Sequence, residues 1–367
     1  MVGVIFAQTV HEFSRIHEWG CFNSGIRGLF VDGFRAKPQI PLEPEKFHQR
    51  TSALNADSEL TLPILFAILL DSIFGDPPNR FHPTAWMGNF IGWLMRFRPR
   101  RNRFAEFMYG TFIVLLGIGL TASAGWLISR LASFLPTWAG WLIEGLFLKL
   151  TVSLRGLNHA AHEVQTALEK NDLPEARRLL SWHLVSRDTS QLDESKVSAA
   201  AIESVAENAS DGIIAPLFFF VIGGLPAAFA YRFVNTADSM LGYRDVEREW
   251  LGKFPARLDD VLNFIPARLA GLFIILSAFI AGADGKGAWR IMRRDARVTA
   301  SPNAGVPMSA MAGALDVELE KINHYILGKG LRAPITADIV RACRLLYFAI
   351  TLAVIVFTLW SYYVRPC

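Results

Sequence analysis

Residues Tyr109–Ile128 read YGTFIVLLGIGLTASAGWLI, an apolar run without a single formal charge. A run of this length meets the roughly 20 residues that a helix needs to cross a hydrocarbon core of about 30 Å. Lipid offers no hydrogen-bond partners to a backbone, so the segment is expected to be helical and the rest of the chain must tolerate a bilayer. Arg130 closes the run, and the basic block MRFRPRRNR at 95–103 precedes it. The positive-inside tendency sets that block in the cytoplasm.

Composition supports this reading. Of the 367 residues, 52% are hydrophobic and only 19% charged, with 10 Trp and 27 Phe to supply lipid-facing bulk and interfacial anchors. The net charge of +4 is modest, and the basic residues sit beside apolar segments. That distribution fits cytoplasmic loop bias better than a nucleic-acid groove. Cys21, Cys343 and Cys367 are too scattered for a zinc knuckle or a disulfide framework. Residues 1–10 lack a basic start, so insertion is expected to rely on internal helices rather than a cleaved leader.

Other apolar segments are shorter or broken. Leu60–Phe74 stops at GDPPNRFHP, where the diproline forbids a continuous helix, and TAWMGNFIGWLM then resumes. Asp76 in that break reads either as a cap or as a site residue, and His82 as a turn residue or an anion contact. Trp138–Leu150 would form a hairpin with the 109–128 run if both cross. Phe264–Ala281 and the run from Cys343 to Val364 are further spans. His159–Leu180 reads as two amphipathic helices about an Asp172–Pro174 turn. Ile213–Tyr231 is interrupted by GGLP at 223–226, which permits either a kinked span or a re-entrant hairpin. A hairpin would leave polar segments 186–212 and 232–263 on one side of the membrane. The expected fold is all-α, a multi-pass helical integral membrane protein, with a polar lead-in at 1–58 and one membrane-embedded domain at 59–364.

The chemistry concentrates between Ser186 and Leu269. Glu203, Glu207 and Asp211 are spaced i, i+4 and i+8, which places the glutamates on one face of a helix over Val197–Asn208 and Asp211 at its end. Like charges so spaced repel, and a hard cation or a substrate ammonium would reverse that sign. Asn208 adjoins the second glutamate. Arg187 and Asp188 precede Thr189 and Ser190, and Ser190 is a candidate cap for the following helix. Downstream lie Asn235, Asp238, Arg244, Arg257, Asp259, Asp260, Asn263 and Arg268, and then Asn303 between two prolines. Of the adjacent Asp259 and Asp260, at least one is expected to pair with an arginine or meet solvent. There is no Walker P-loop, so a nucleotide would have to be held otherwise.

Six ordered motifs, DSIFGDPPNRFHPTAWMG (71–88), SRDTSQLD (186–193), AIESVAENASDGIIAPLF (201–218), NTADSMLGYR (235–244), ARLDDVLNFIPARL (256–269) and SPNAGVPMSAMAGAL (301–315), closely resemble the adenosylcobinamide-phosphate synthase family of cobalamin biosynthesis. The chain departs from that pattern in its longer lead-in, and at Ala304 and Val306, where the family carries Ser and an aromatic residue. The resemblance implies a multi-pass protein of the bacterial inner membrane with catalytic loops facing the cytoplasm. It also implies ATP-dependent joining of adenosylcobyric acid, a corrinoid, to (R)-1-amino-2-propanol or its O-phosphate. Membrane lipid, a homo-oligomer or other cobalamin-pathway enzymes are the expected partners, and nucleic acid is not. On this reading Glu203, Glu207, Asp211, Asp259 and Asp260 would lie by Mg²⁺, and Glu207, Asp238 and Glu203 are candidates for proton transfer. Arg187, Asp188, Asn208, Asn235, Arg244, Arg257, Asn263, Arg268 and Asn303 would bind substrate or ATP. A transporter and a non-catalytic scaffold for corrinoid enzymes are the competing classes.

Overall fold

The computed structural model describes residues 60–99, 102–242 and 249–363, and their regular structure is almost wholly helical. The lead-in at 1–58 and the candidate Arg244 lie outside these residues. Helix α1, Thr61–Phe74, stops where Gly75 takes φ +65° and turns the chain into the diproline. A short 3₁₀ turn, Asn79–Phe81, leads to α2, Pro83–Met95. His82 is the N-cap of α2, its Nδ1 accepting the Thr84 N–H at 3.2 Å.

Helix α3, Arg103–Ala132, has 30 residues, about 45 Å at 1.5 Å per residue, and is long enough to cross a bilayer. Helix α4, Thr137–Lys149, has 13 residues, too few for a crossing of about 20. It packs on α1 at Gly145, where a Cβ would come within 2.8 Å of the Pro63 carbonyl. The amphipathic pair is present as α5, Leu154–Glu169, and α6, Leu173–His183, with Asp172 capping α6 through the Glu175 N–H at 3.0 Å.

Helix α7, Glu194–Ala209, is capped by Asp193, which accepts the Lys196 N–H at 2.8 Å. Ser190 is therefore not the cap; its hydroxyl is held by Asp188 at 3.0 Å. A π turn, Ser210–Ile214, carries α7 into α8, Ala215–Leu241. Within α8, Gly223 and Gly224 leave helical geometry, Gly224 at φ +63° and ψ −158°. The chain reverses there. The Phe219 and Tyr231 rings stack with centroids 4.9 Å apart, whereas a straight helix would separate these positions by about 18 Å. The Tyr231 hydroxyl also comes within 3.2 Å of the Asp211 carbonyl oxygen. The interrupted segment is thus a helical hairpin whose limbs lie side by side.

Helices α9, Glu249–Leu262, and α10, Phe264–Ile280, form a pair bent by 49°. Helix α11, Gly285–Asp295, and the buried, small-residue α12, Gly305–Leu315, flank the loop at 301–304. Strands β1, Leu319–Lys321, and β2, Tyr325–Leu327, pair antiparallel with Leu319 opposite Leu327. Helix α13, Thr336–Tyr363, ends the fold. By length and composition α3 and α13 qualify as crossing elements, and the bent α9–α10 pair as one more; the α7–α8 segment is long and apolar enough too, but its reversal at Gly223–Gly224 makes it a hairpin rather than one straight crossing. The protein is a multi-pass helical membrane protein.

Glycines along α3 let the hairpin and α9 pack closely against it. A Cβ at Gly110 would overlap the Leu251 carbonyl, one at Gly117 the Phe233 ring, and one at Gly125 the Leu225–Pro226 peptide. Small residues at such a face let helix backbones approach closely. Ile113, Val114, Phe233, Val234, Leu241 and Leu251 fill the smaller hydrophobic core beside this contact. The larger core joins the descending limb of the hairpin to α10, α12 and α13.

Candidate active site around the hairpin

The fold reversal at Gly223–Gly224 assembles a polar cluster from segments distant in sequence. Glu203 and Glu207 share a face of α7, and the π turn, which inserts extra backbone, sets Asp211 beyond them. Asp211 feels the charges of Asp259, Glu207 and Asp238, and Asp238 those of Asp259, Asp260 and Glu207. Glu203 and Asp259 are buried, while Glu207, Asp211 and Asp238 are half-buried.

Amides and a phenol fix this acidic group. Asn263 donates to Asp259 at 2.9 Å and Asn235 at 3.4 Å. The Tyr231 hydroxyl lies 2.8 Å from Asn263 Oδ1, linking the returning limb of the hairpin to the α9–α10 bend. Asp260 points elsewhere: it accepts the Ser301 hydroxyl at 3.0 Å, and its carbonyl accepts Asn303 Nδ2 at 2.7 Å. Arg268 donates to Asn303 Oδ1 at 2.7 Å and covers the Phe264 ring. Of the two alternatives for the Asp259–Asp260 pair, an arginine partner or solvent, the structure gives the second: Asp260 is half-exposed, and among the described residues the pair is held by amides and a hydroxyl.

One end of the cluster is cationic. Arg187 Nη2 lies 3.1 Å from Glu203 Oε2, and the buried Glu203 Oε1 has no close hydrogen-bond partner among the described residues. Arg187 and Lys321 of β1 both act on Glu207. Tyr325 of β2 faces the same glutamates; burial, then the charges of Glu203 and Glu207, raise its pKa, so its hydroxyl stays a donor. Sequence reading missed Lys321 and Tyr325, because nothing in a three-residue strand signals what it packs against.

A second ionic group adjoins the first. Lys149 Nζ lies 3.2 Å from Asp76 Oδ1 and 3.6 Å from Asp71 Oδ1. Asp76 also accepts the Ser153 hydroxyl and lies 3.6 Å from His82 Nε2, so it is a pairing residue rather than a cap. Asp71 Oδ2 accepts the Leu154 and Arg155 N–H groups at 2.9 Å, capping α5 from another helix. Arg232 of the returning limb carries electrostatic contact to both Asp76 and Asp211. A lone cation inside an apolar helix was the available signal for Lys149 and Arg232.

Other sequence candidates stand apart. Asp188 is exposed and bound to the Ser190 N–H at 2.9 Å, and Arg257 is exposed on α9. Asn208 turns its amide back to the Ser204 carbonyl at 2.9 Å. His162 and Glu163 stay on the helix surface, bonded to Gln165 and facing His159 and His183. Among the described residues no group of three or more His, Cys, Asp or Glu side chains is gathered tightly enough to hold a metal alone. The donor chemistry still suits Mg²⁺, which commonly takes one or two carboxylates and completes its shell with phosphate and water.

Fold and cluster define a helical membrane protein whose carboxylates, amides and cations converge on a reversed hairpin. A family model described as CobD/Cbib protein matches residues 64–346. The cobalamin biosynthesis protein CobD of Dehalococcoides mccartyi (strain CBDB1) is 46% identical over 274 residues, 75% of this chain and 88% of that one. The probable cobalamin biosynthesis protein CobD of Methanothermobacter thermautotrophicus is 41% identical over 294 residues, covering 79% and 95%. The cobalamin biosynthesis protein CbiB of Salmonella typhimurium is 40% identical over 297 residues, covering 78% and 93%. No solved structure matches. The chain belongs to the CobD/Cbib family.

Proposed function

We propose that this protein joins adenosylcobyric acid to (R)-1-amino-2-propanol O-phosphate, or to the free amino alcohol, as an amide at the expense of ATP. Family membership supports the reaction class, and relatives named for cobalamin biosynthesis support the pathway. The observation that carries the reading is the gathering of Glu203, Glu207, Asp211, Asp238 and Asp259 around one hairpin, with Arg187 and Lys321 at its edge.

Amide formation from a carboxylate requires its oxygen to become part of a leaving group. In the proposed route the corrinoid carboxylate oxygen attacks the γ-phosphorus of ATP, ADP leaves, and an acyl phosphate forms. The amine then attacks the acyl carbon and phosphate departs, with the ammonium proton passing to a carboxylate. Positioning and charge stabilisation dominate such phosphoryl transfer. Mg²⁺, held from the side of Asp211, Asp259 and Glu207, would supply neutralisation of phosphate charge. Glu207 or Asp238 takes the amine proton. Arg187 and Arg268, with Asn235, Asn263 and Asn303, orient substrate groups. Asp188, Asn208, Arg257 and Arg244 have no assigned contact in this route.

Purified protein in detergent, supplied with adenosylcobyric acid, the amino alcohol phosphate, ATP and Mg²⁺, is expected to yield the amide with ADP and phosphate in equal amounts. AMP and pyrophosphate would replace the acyl phosphate by an acyl adenylate. Absence of corrinoid product from folded, substrate-binding protein would overturn the enzyme reading. In the same assay Glu207→Gln keeps size but removes charge, and turnover should fall by at least about 100-fold, the order expected for a positioned acid or base. Near-normal turnover would reduce the glutamate pair to a polar helix face.

A further inference from the structure

Several arginines in this fold have short anionic partners. Arg178 reaches Glu175 at 2.7 Å, Arg294 reaches Asp295 at 2.6 Å, and Arg332 grips Asp338 at 2.7 and 2.8 Å. Arg232, half-buried on the returning limb, is different. Its Nε lies 3.5 Å from Thr84 Oγ1 and its Nη1 lies 3.4 Å from Asn235 Oδ1, both long for a charged donor. Among the described residues its Nη2 has no partner and no carboxylate is within ion-pair distance of it. The carboxylates whose charges reach it are Asp76, already held by Lys149, Ser153 and His82, and Asp211 of the acidic cluster.

A guanidinium taken partly out of water is costly unless its donors are used. Its planar fork matches two oxygens of a tetrahedral oxyanion. Thr84, in the first turn of α2, accepts from Arg232 and keeps its own hydroxyl proton to donate. The N-terminal end of a 13-residue helix favours negative charge in the same place. The neighbouring cation Lys149 offsets Asp76, so an incoming anion does not meet an uncompensated carboxylate there.

We infer that Arg232, Thr84 and Asn235 form a subsite for a phosphoryl oxyanion, placed between the Asp76–Lys149 group and the acidic cluster. Which phosphate it holds rests on the proposed reaction: the γ-phosphoryl group of ATP or the phosphate of the amino alcohol. The existence of the subsite does not rest on that reaction, and its test uses inorganic phosphate as the probe.

Full-length protein in detergent is titrated with inorganic phosphate against chloride at matched ionic strength, and the thermal midpoint is read. The native protein should show a saturable rise, because a ligand bound only to the folded state stabilises it by mass action. The half-saturating concentration should increase about tenfold in Arg232→Gln and about threefold in Thr84→Val, as expected for loss of a charged and a neutral hydrogen bond. Should Arg232→Gln not fold, the near-isosteric Thr84→Val decides. No saturable rise in native protein, or unchanged titration in the folded variants, overturns the subsite. If amide synthesis is observed, a raised KM for ATP with either amino alcohol assigns the γ-phosphoryl group. A raised KM confined to the phosphorylated amino alcohol assigns that phosphate instead. Saturable phosphate binding without amide synthesis would keep the subsite and reject the reaction.

Discussion

Asp76 shows how a single side chain is decided by distant partners. Burial alone would raise its pKa, but the His82 contact, the Ser153 hydroxyl and Lys149 outweigh that and hold it well below the ordinary carboxylate value of 3.8. A carboxyl whose pKa is depressed on folding contributes stability that is fully present above its unfolded value and is lost as pH falls through the folded one. Native protein should therefore be more stable than Asp76→Asn at pH 6, and the difference in thermal midpoint should shrink steadily below about pH 3.8. A difference that stays constant down to pH 3 would show that Asp76 acts by shape rather than charge. Sequence made Asp76 conspicuous beside the diproline, yet Lys149 and Ser153 lie more than 70 positions away, and pattern alone does not bridge that distance. Glu203 and Glu207 were legible for the opposite reason. Their pairing follows from helix periodicity within one segment.

At the scale of elements the hairpin is the deciding device. The GGLP interruption was visible in the sequence and left two geometries open, because a kinked helix and a reversed one use the same residues. The choice is made by contacts no local pattern encodes: Phe219 on Tyr231, Tyr231 to Asn263, and the peptide at Leu225–Pro226 against Gly125. Gly224 sits at φ +63° and ψ −158°, a region open essentially to glycine alone. Gly224→Ala should destabilise the protein by about 1–3 kcal/mol, the usual cost of such a conformation for a residue with a Cβ. Denaturation in detergent measures this, and an unchanged midpoint would mean that the reversal does not depend on Gly224. Gly223, at φ −146°, is ordinary extended backbone in that angle, so the argument rests on its neighbour.

For the whole molecule the reversal has a topological consequence. The hairpin is expected to bring segments 186–212 and 232–263 out on the same side whether its tip reaches the far leaflet or stops within the bilayer, because its two limbs lie side by side. Membrane class and helical content were legible because apolar runs and basic flanks are local properties. Segment sidedness was not, since α4 and the hairpin do not cross as simple full-length spans. Cytoplasmic exposure of both polar segments is proposed because ATP is supplied there and because the basic block at 95–103 leads into α3. Single cysteines at Gln191 and Arg257, both exposed, in a background lacking Cys21, Cys343 and Cys367, place a reporter in each segment. A third at Thr137, exposed at the far end of α3, reports the opposite face. An impermeant thiol reagent on intact cells should label Thr137→Cys alone, and permeabilised cells should label all three. Labelling of only one of Gln191→Cys and Arg257→Cys from outside would break the shared-side arrangement and with it the hairpin topology. Labelling of both from outside, with Thr137→Cys protected, would keep the hairpin and invert the protein, placing the acidic cluster away from cytoplasmic ATP and removing the proposed reaction from that face.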